Sequence, residues 1–352
     1  MTEPLVLAVD GGNSKTYLAL VSPDGHLVTL VRGAQSSPHH LGLDGCLAVV
    51  DQLVTDAVRT SSISAGDPLA QVGVFLLAGV DYPSEEDEIA AALGVRGWAA
   101  KTIVGNDTFA VLRAGTARGW GVAVVCGAGI NCVGVAPDGR QARFPALGSI
   151  TGDWGGGYDV GMAAVSAAAR SEDGRGPRTS LEAAVPAHFG LHTPSELAEA
   201  IHRRQISIRS VIEIAPVVFA EASADTVAAE IVDRLAAEVV TLARVALDRL
   251  DLTHEPVEVM LGGGLFRTRD ERLLSAVARG LEEVGPALTA RVTDSPPIVG
   301  AALLGLDALG ADPEAHLRLR DELGAAVERF EAPSVSDGNG AAILADAYLE
   351  VE

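Results

Sequence analysis

The chain is poor in cysteine, with only Cys46, Cys126 and Cys132 among 352 residues. Their irregular spacing, without a Cys-x-x-Cys pair, excludes a disulfide framework and offers no cysteine zinc site. Aromatic residues are also few, 4% of the chain against 48% hydrophobic, so the core has to be built mainly from Ala, Val and Leu. Basic residues are outnumbered, 26 Lys and Arg to 47 Asp and Glu, for a formal net charge of −21. A chain this acidic repels polyanions unless it concentrates its cations, and the densest basic spots, Arg203-Arg204 and Arg267 with Arg269, are too small to do so. Nucleic-acid and membrane partners are therefore not expected. No run of about 18 uncharged apolar residues occurs. The N-terminus shows no basic segment followed by an apolar signal core, and a cytoplasmic location is expected.

Glycine, in contrast, is plentiful and placed as loop punctuation. The length exceeds what one core usually supports, so two domains are the default. Asp10-Gly11-Gly12-Asn13-Ser14-Lys15-Thr16 follows the apolar strand Leu5 to Val9 and precedes Tyr17 to Val21, a Ser22-Pro23-Asp24-Gly25 turn and a third strand, His26 to Val31. Two glycines allow a sharp turn and let a ligand approach backbone N–H groups that can form an anion-binding concavity. Ser14, Lys15 and Thr16 add donors and one positive charge, and Asp10 could hold Mg²⁺. The Walker A spacing and its helix are missing, so an ordinary Gly-Gly hairpin remains the alternative.

Further along, a polar loop spans Arg32 to Gly42, and its His39 and His40 are too isolated to read as a metal site. A helix around Leu47 to Val58 leads through a Ser/Gly/Asp/Pro linker to the strand Val72 to Leu77. Ser84 is expected to cap the next helix, whose acidic start, Glu85-Glu86-Asp87-Glu88, matches the helix dipole. The strand Lys101 to Gly105 stops at Asn106-Asp107-Thr108 before a helix from Phe109. Asp107 is either the N-cap of that helix or a general base at a strand tip, where open α/β sheets collect ligands.

A second glycine unit repeats the first: strand Gly121 to Cys126, turn Gly127-Ala128-Gly129, strand Ile130 to Val135, then Pro137-Asp138-Gly139. Such a duplication suggests two similar halves, each with one phosphate-facing hairpin. Cys126 and Cys132 flank the turn, but without partner cysteines a buried apolar role outweighs an iron–sulfur cluster. The stretch from Ala146 to Gly161 is glycine-rich, with Asp153 either shaping a turn or binding substrate hydroxyls, and its helix is expected from Met162. Residues 177–250 read as helical with breaks at Pro186, Pro194 and Pro216. A third turn, Gly262-Gly263-Gly264, follows the strand Val257 to Leu261. Helices from Glu271 to Val284, from Ile298 to Leu309, and two more beyond complete the chain.

The three glycine turns, in this order, resemble the two phosphate loops and the adenosine loop of the actin/Hsp70/sugar-kinase superfamily. Asn106-Asp107 and Gly152-Asp153-Trp154-Gly155 look like the N-acetylglucosamine kinase group of the BadF/BadG/BcrA/BcrD ATPase family. The resemblance covers about residues 5–310. It implies an α/β fold of two ribonuclease-H-like (actin-like ATPase) domains with ATP in the cleft, residues 1–112 plus about 300–352 forming one and 113–299, with a helical insertion, the other. It further implies Asp107 as catalytic base and Asp10 as the Mg²⁺ holder. ATP would be bound by Gly11, Gly12, Asn13, Ser14, Lys15, Thr16, Gly127, Ala128, Gly129, Gly262, Gly263 and Gly264, and the sugar by Ser37, His39, Gly79, Asn106, Leu147, Gly148 and Asp153. Ser37-Pro38-His39-His40 stands where these kinases usually carry Asn, and Leu147 where they carry an aromatic. The implied activity is transfer of the γ-phosphoryl of MgATP to an amino-sugar hydroxyl, with O6 of N-acetylglucosamine first, by a homodimer. Glucosamine, another hexose, or an ATP-driven activator switch are the alternatives.

Overall fold

The computed structural model describes residues 5–61 and 68–332. The linker expected near 62–67 and the second helix expected in the C-terminal remainder lie outside the described residues. The first half runs β1 (Val6–Gly11), β2 (Thr16–Val21), β3 (Leu27–Gly33), α1 (Pro38–Ser61), β4 (Ala70–Leu77), α2 (Pro83–Gly94), β5 (Ala99–Asn106) and α3 (Thr108–Gly115). The second half opens with β6 (Gly121–Cys126), β7 (Ile130–Val135) and β8 (Gln141–Arg143). It continues as α4 (Gly156–Glu172), α5 (Leu181–His188), α6 (Pro194–His202), α7 (Ala215–Glu221) and α8 (Thr226–Arg249), then β9 (Glu258–Gly262), α9 (Gly264–Arg267), α10 (Glu271–Val284) and β10 (Thr289–Val292). Helices α11 (Pro297–Leu309) and α12 (Pro313–Glu331) follow.

Each half holds one five-stranded mixed sheet, ordered β3-β2-β1-β4-β5 in the first and β8-β7-β6-β9-β10 in the second. The pairings correspond as well. β1 and β6 each run antiparallel to the hairpin strand that follows and parallel to the strand that returns after a helical crossover. The duplication expected from the glycine hairpins is thus a duplication of topology.

Strand alternation sends one set of side chains to each face. Leu7 and Val9 of β1, with Leu18 and Leu20 of β2, pack under Leu47, Val50 and Leu53 of α1 and Ile89 and Leu93 of α2. Val6, Ala8 and Ala19 face the other way, toward Ile298, Val299, Ala302 and Leu306 of α11 and Leu319 and Leu323 of α12. Helices that follow the second sheet in sequence therefore complete the core of the first. The second sheet buries one face under α4 to α8 and α10. Its other face, at Ala123, Val133 and Met260, meets Val111 and Leu112 of α3. α3 also lies against α11, where a Cβ on Gly300 would come within 1.9 Å of the Ala110 carbonyl oxygen. Helix α3, which starts directly after Asp107, is thus wedged between the sheets.

Several expected boundaries shift. α1 begins at Pro38, inside the expected loop, and changes direction at Gly42, where φ is 67°. α2 starts at Pro83, not after a Ser84 cap: Glu85 reaches back to accept from the N–H groups of Asp81 and Tyr82 at 2.8 and 2.9 Å. α4 begins at Gly156, not Met162, because Asp159 caps its start by accepting from Gly155 N at 2.9 Å. Pro194 and Pro216 sit in first turns, where a missing N–H costs nothing, and Pro186 lies inside α5 instead of breaking it.

Candidate active site

The registers of the parallel strands bring three chain segments to one edge. Gly11 pairs with Leu77, and Leu77 with Asn106, so Asp10, the Ala78–Asp81 turn and Asn106-Asp107 emerge side by side at the C-terminal ends of β1, β4 and β5. Ligand sites of open α/β sheets form at such an edge.

Three carboxyl groups gather there. Burial pushes Asp10 up to about 7, helped by the charge of Asp107 and opposed by Lys15 and Arg267. Asp107 is pushed up to about 6 by burial, partly offset by its own and the Thr108 backbone N–H. Both keep some accessible surface and are not sealed in. Asp81 is raised to about 7 by burial, then by Glu85 and Asp107, with Arg143 pulling it down and Asp153 adding a smaller push.

The two readings of Asp107 separate on hydrogen bonds. Asp107 occupies the N-cap position of α3, yet its side chain makes no capping bond. Asn106 does that work: its Oδ1 accepts from Thr108 N at 3.0 Å and from the Thr108 hydroxyl, while its Nδ2 donates to Asp81 Oδ1 at 2.8 Å. From the second sheet, Asn131 Nδ2 donates to Asn106 Oδ1 at 3.3 Å. The Asp107 carboxylate is left available for a ligand.

In the first hairpin Gly12 N donates to Lys15 O at 2.9 Å, and Asn13 and Ser14 stand exposed at the tip. Lys15 is ion-paired with Glu331 at the end of α12, which also accepts from the Tyr17 hydroxyl at 3.1 Å. Thr16 turns inward, fully buried, and donates to Ser36 Oγ at 2.8 Å, so its side chain belongs to the scaffold. Gly11 is buried against Ser36 and Leu77.

The second hairpin is seated on the start of α4. Gly157 N donates to Gly127 O at 2.8 Å and Tyr158 N to Ala128 O at 2.9 Å. The outward sides of Gly127 and Gly129 have no atom within 4 Å of an added Cβ, leaving room for a ligand to approach backbone. The third turn lies against the second: Gly263 has φ +96°, and a Cβ there would sit 2.2 Å from the Cys126 carbonyl oxygen. Gly264 is open, whereas Gly262 is buried between Val111 and Val125.

Around the opposite side, Ser37 is fully buried, and Gly79, at φ +78°, backs onto it so closely that a Cβ would meet Ser37 Oγ at 2.9 Å and His39 Cβ at 2.8 Å. Gln35 Oε1, Ser37 Oγ and His40 Nδ1 are buried without a hydrogen-bond partner among the described residues. Buried polar atoms left this way are costly, and three of them fall within six residues here. Burial, then Arg209 and His39, holds His40 below its ordinary value. Leu147 N donates to Thr151 Oγ1 at 2.9 Å and Asp153 N to Gly148 O at 3.0 Å, so 147–153 forms a closed loop with Asp153 also accepting from Thr151. Its effect on Asp81 puts Asp153 near the acidic edge.

Sequence reasoning missed Asp81, Asn131, Arg143 and Arg267. Asp81 ends the same strand-turn as Gly79 and could have been read from strand-end position; Asn131 reads as an ordinary strand residue. The two cysteines beside the second hairpin are buried, and burial pushes both thiols far up, away from the thiolate a cluster needs. Among the described residues no group of three or more metal-ligating side chains occurs. Asp10 is nonetheless a fitting first ligand for Mg²⁺, since a hard cation with mostly water and phosphate oxygens needs few carboxylates and would relieve the repulsion between Asp10 and Asp107.

Two sheets of one strand order, glycine hairpins at corresponding positions and carboxyl groups at strand ends define the two-domain actin-like ATPase fold. The chain belongs to the BadF/BadG/BcrA/BcrD ATPase family, which matches residues 7–305. It is 27% identical over 264 residues to the N-acetylmuramic acid/N-acetylglucosamine kinase of Clostridium acetobutylicum, covering 74% of this chain and 85% of that one. It is 23% identical over 320 residues to the N-acetyl-D-glucosamine kinase of Dictyostelium discoideum, covering 87% of this chain and 99% of the relative. The crystal structure of a Chromobacterium violaceum protein, provisionally described as an N-acetylglucosamine kinase, superposes with a TM-score of 0.68 at 22% identity, covering 87% of this chain and all of the other.

Proposed function

We propose that this chain is an ATP-dependent sugar kinase that moves the γ-phosphoryl of ATP to a hydroxyl of an amino sugar, N-acetylglucosamine at O6 first. The observation that carries the reading is Asp107, freed from helix capping by Asn106 and held at the strand ends beside Asp10 and Asp81. Both curated relatives bear kinase names for N-acetylated amino sugars.

On this reading the open backbone of Gly127, Gly129 and Gly264, with Gly12, Asn13, Ser14 and Lys15, receives the nucleotide, while Gly11, Thr16, Gly262 and Gly263 shape the turns. His39, Gly148 and Asp153 face the sugar, while buried Ser37 and Asn106, with Gly79 and Leu147, shape the wall and loop behind it. Asp107 orients the attacking hydroxyl and accepts its proton as the phosphoryl transfers. Positioning and charge neutralisation dominate such reactions. Asp10 holds Mg²⁺, which when bound neutralises phosphate charge. We read residues 1–112 with those from about 300 onward as one domain and 113–299 as the other, and the protein as a cytoplasmic homodimer, which molar mass by light scattering checks.

ADP release and phosphosugar formation measured with N-acetylglucosamine, glucosamine, N-acetylmuramic acid, N-acetylmannosamine and glucose test the activity. Phosphorylation of an N-acetylated amino sugar above the others is expected. ATP hydrolysis without any phosphosugar would favour the activator-switch alternative instead.

A further inference from the structure

We propose that Arg143 is a positioning residue that ties the two halves together on the sugar side of the cleft through its ion pair with Glu86. It thereby fixes the separation between the Asn106–Asp107 strand end and the β6–β7 hairpin. The inference rests on the kinase reading for its effect on turnover, and on the geometry alone for its effect on shape.

Arg143 is the last residue of β8 in the second sheet, and Glu86 lies in the first turn of α2, which packs on the first. Arg143 Nη2 donates to Glu86 Oε1 at 2.5 Å, with the side chains only 23% and 21% exposed. Partly desolvated pairs are screened less than surface pairs. The guanidinium stands over the Phe109 ring, 5.4 Å from its centroid, so a residue of α3 backs it. The Glu86 carboxylate lies over Gly105, where an added Cβ would be 3.6 Å from Oε1, and Gly105 immediately precedes Asn106 and Asp107. On the other side, Arg249 of α8 donates to the Arg143 carbonyl at 3.1 Å, anchoring the latch to the core of the second half.

Apart from the pair, the halves meet here through α3, whose Val111 and Leu112 pack on Val133 and Met260, with Phe109 and Val135 at the margin of that cluster. On the Glu86 side of that cluster a cavity of about 200 Å³, lined by Glu86, Ile103, Phe109, Leu112, Val135 and Gln141, leaves the packing incomplete next to the pair. The Asn131–Asn106 bond is a long 3.3 Å and depends on the same spacing. Glu85, the neighbouring carboxylate, is committed to capping α2 and cannot replace Glu86. The acidic start of α2 was expected to serve only the helix dipole and solvation. Glu86 instead faces inward and meets the other half.

The test uses Arg143→Met, Arg143→Lys, Glu86→Gln and the double Arg143→Met/Glu86→Gln in the full chain. For N-acetylglucosamine, kcat/KM is expected to fall roughly tenfold in Arg143→Met and Glu86→Gln, the size of coupling that inter-element contacts carry, while KM for ATP stays within about twofold. Arg143→Lys recovers part of the loss, and the double variant is no worse than either single one, because one interaction is removed. Independently of turnover, nitroxide labels at Glu88→Cys and Asp138→Cys report the separation of α2 and the β7–β8 turn. Their distance distribution is expected to broaden and lengthen when Arg143→Met is added. An unchanged distribution in Arg143→Met, or in Glu86→Gln should that variant fail to fold, overturns the latch, as do single losses that multiply in the double variant. Wild-type protein that phosphorylates no sugar while the distribution still opens overturns the kinase reading and leaves the latch standing.

Discussion

The strand β5 ends in Asn106-Asp107 and its counterpart β10 ends before Thr293-Asp294, and the two aspartates live differently. Asp294 is exposed and held by Arg269, whose Nη2 donates to both carboxylate oxygens at 2.7 Å. Asp107 makes no ion pair among the described residues, is pushed up to about 6 by burial, and shares its edge with Asp10 and Asp81. The hairpins diverge in the same direction. The first puts Asp10 and Lys15 beside the cleft, whereas the second offers the bare backbone of Gly127 and Gly129 on the start of α4. One topology used twice thus yields one half that gathers carboxyl groups at its strand ends and another that leaves glycine backbone open beside a helix start.

The largest way to break this contrast is Asp107→Asn. It should lower kcat by a factor on the order of 10³, within the range for loss of a general base, while ATP affinity by calorimetry stays within about twofold. Because burial raises the Asp107 pKa from 3.8 to about 6 in the folded protein, stability is lost as pH rises between those two values, and the loss is complete above about pH 6. Asp107→Asn should therefore melt higher than the parent at pH 8, with the gap closing toward pH 4. An Asp107→Asn protein that melts lower at pH 8 would instead make Asp107 a structural cap.

Gly263→Ala and Gly127→Ala separate shape from contact in the second half. At Gly263 a Cβ meets the Cys126 carbonyl oxygen at 2.2 Å in a positive-φ position, so a loss of about 2–4 kcal/mol in denaturant unfolding is expected. At Gly127 the space is empty, and stability should stay within about 0.5 kcal/mol. If phosphates approach this hairpin, KM for ATP nevertheless rises several-fold; an unmoved KM would place the nucleotide elsewhere.

A smaller effect sharpens the acidic side. In wild-type protein kcat/KM for the sugar should fall on acidification with a limb near pH 6, as Asp107 takes up a proton. A limb near pH 4 would mean that the burial seen here is relieved in solution. The smallest effect is expected for Cys132→Ala, where a buried thiol acts as a small apolar group. Turnover should be unchanged within about twofold, and iron analysis of the parent should give none.

Much of this was legible in the sequence because glycine turns and alternating apolar strands are local signals. The hairpins around Gly11 and Gly127 and the helix Glu271–Val284 followed from residues alone, whereas Asp107 stood there as cap or base, and the base role came only with the family resemblance. What escaped depends on distant chain. Nothing near Glu86 says that it meets Arg143 rather than water, and nothing near Glu331 says that it takes Lys15. Asp81 matters only because the β1–β4–β5 register sets it beside Asp107. The choice between cap and base at Asp107 stayed open in the sequence for the same kind of reason: that Asn106, and not Asp107, accepts from Thr108 N depends on the Asn106 amide being turned by its bond to Asp81.

The most direct measurement follows ADP and phosphosugar together by ³¹P NMR, with MgATP and N-acetylglucosamine, for wild type and Asp107→Asn. Wild type is expected to give equal amounts of ADP and an N-acetylglucosamine phosphate, and Asp107→Asn almost none of either although it still binds ATP. ADP formed without phosphosugar, or phosphosugar formed by Asp107→Asn at near wild-type rate, would contradict it.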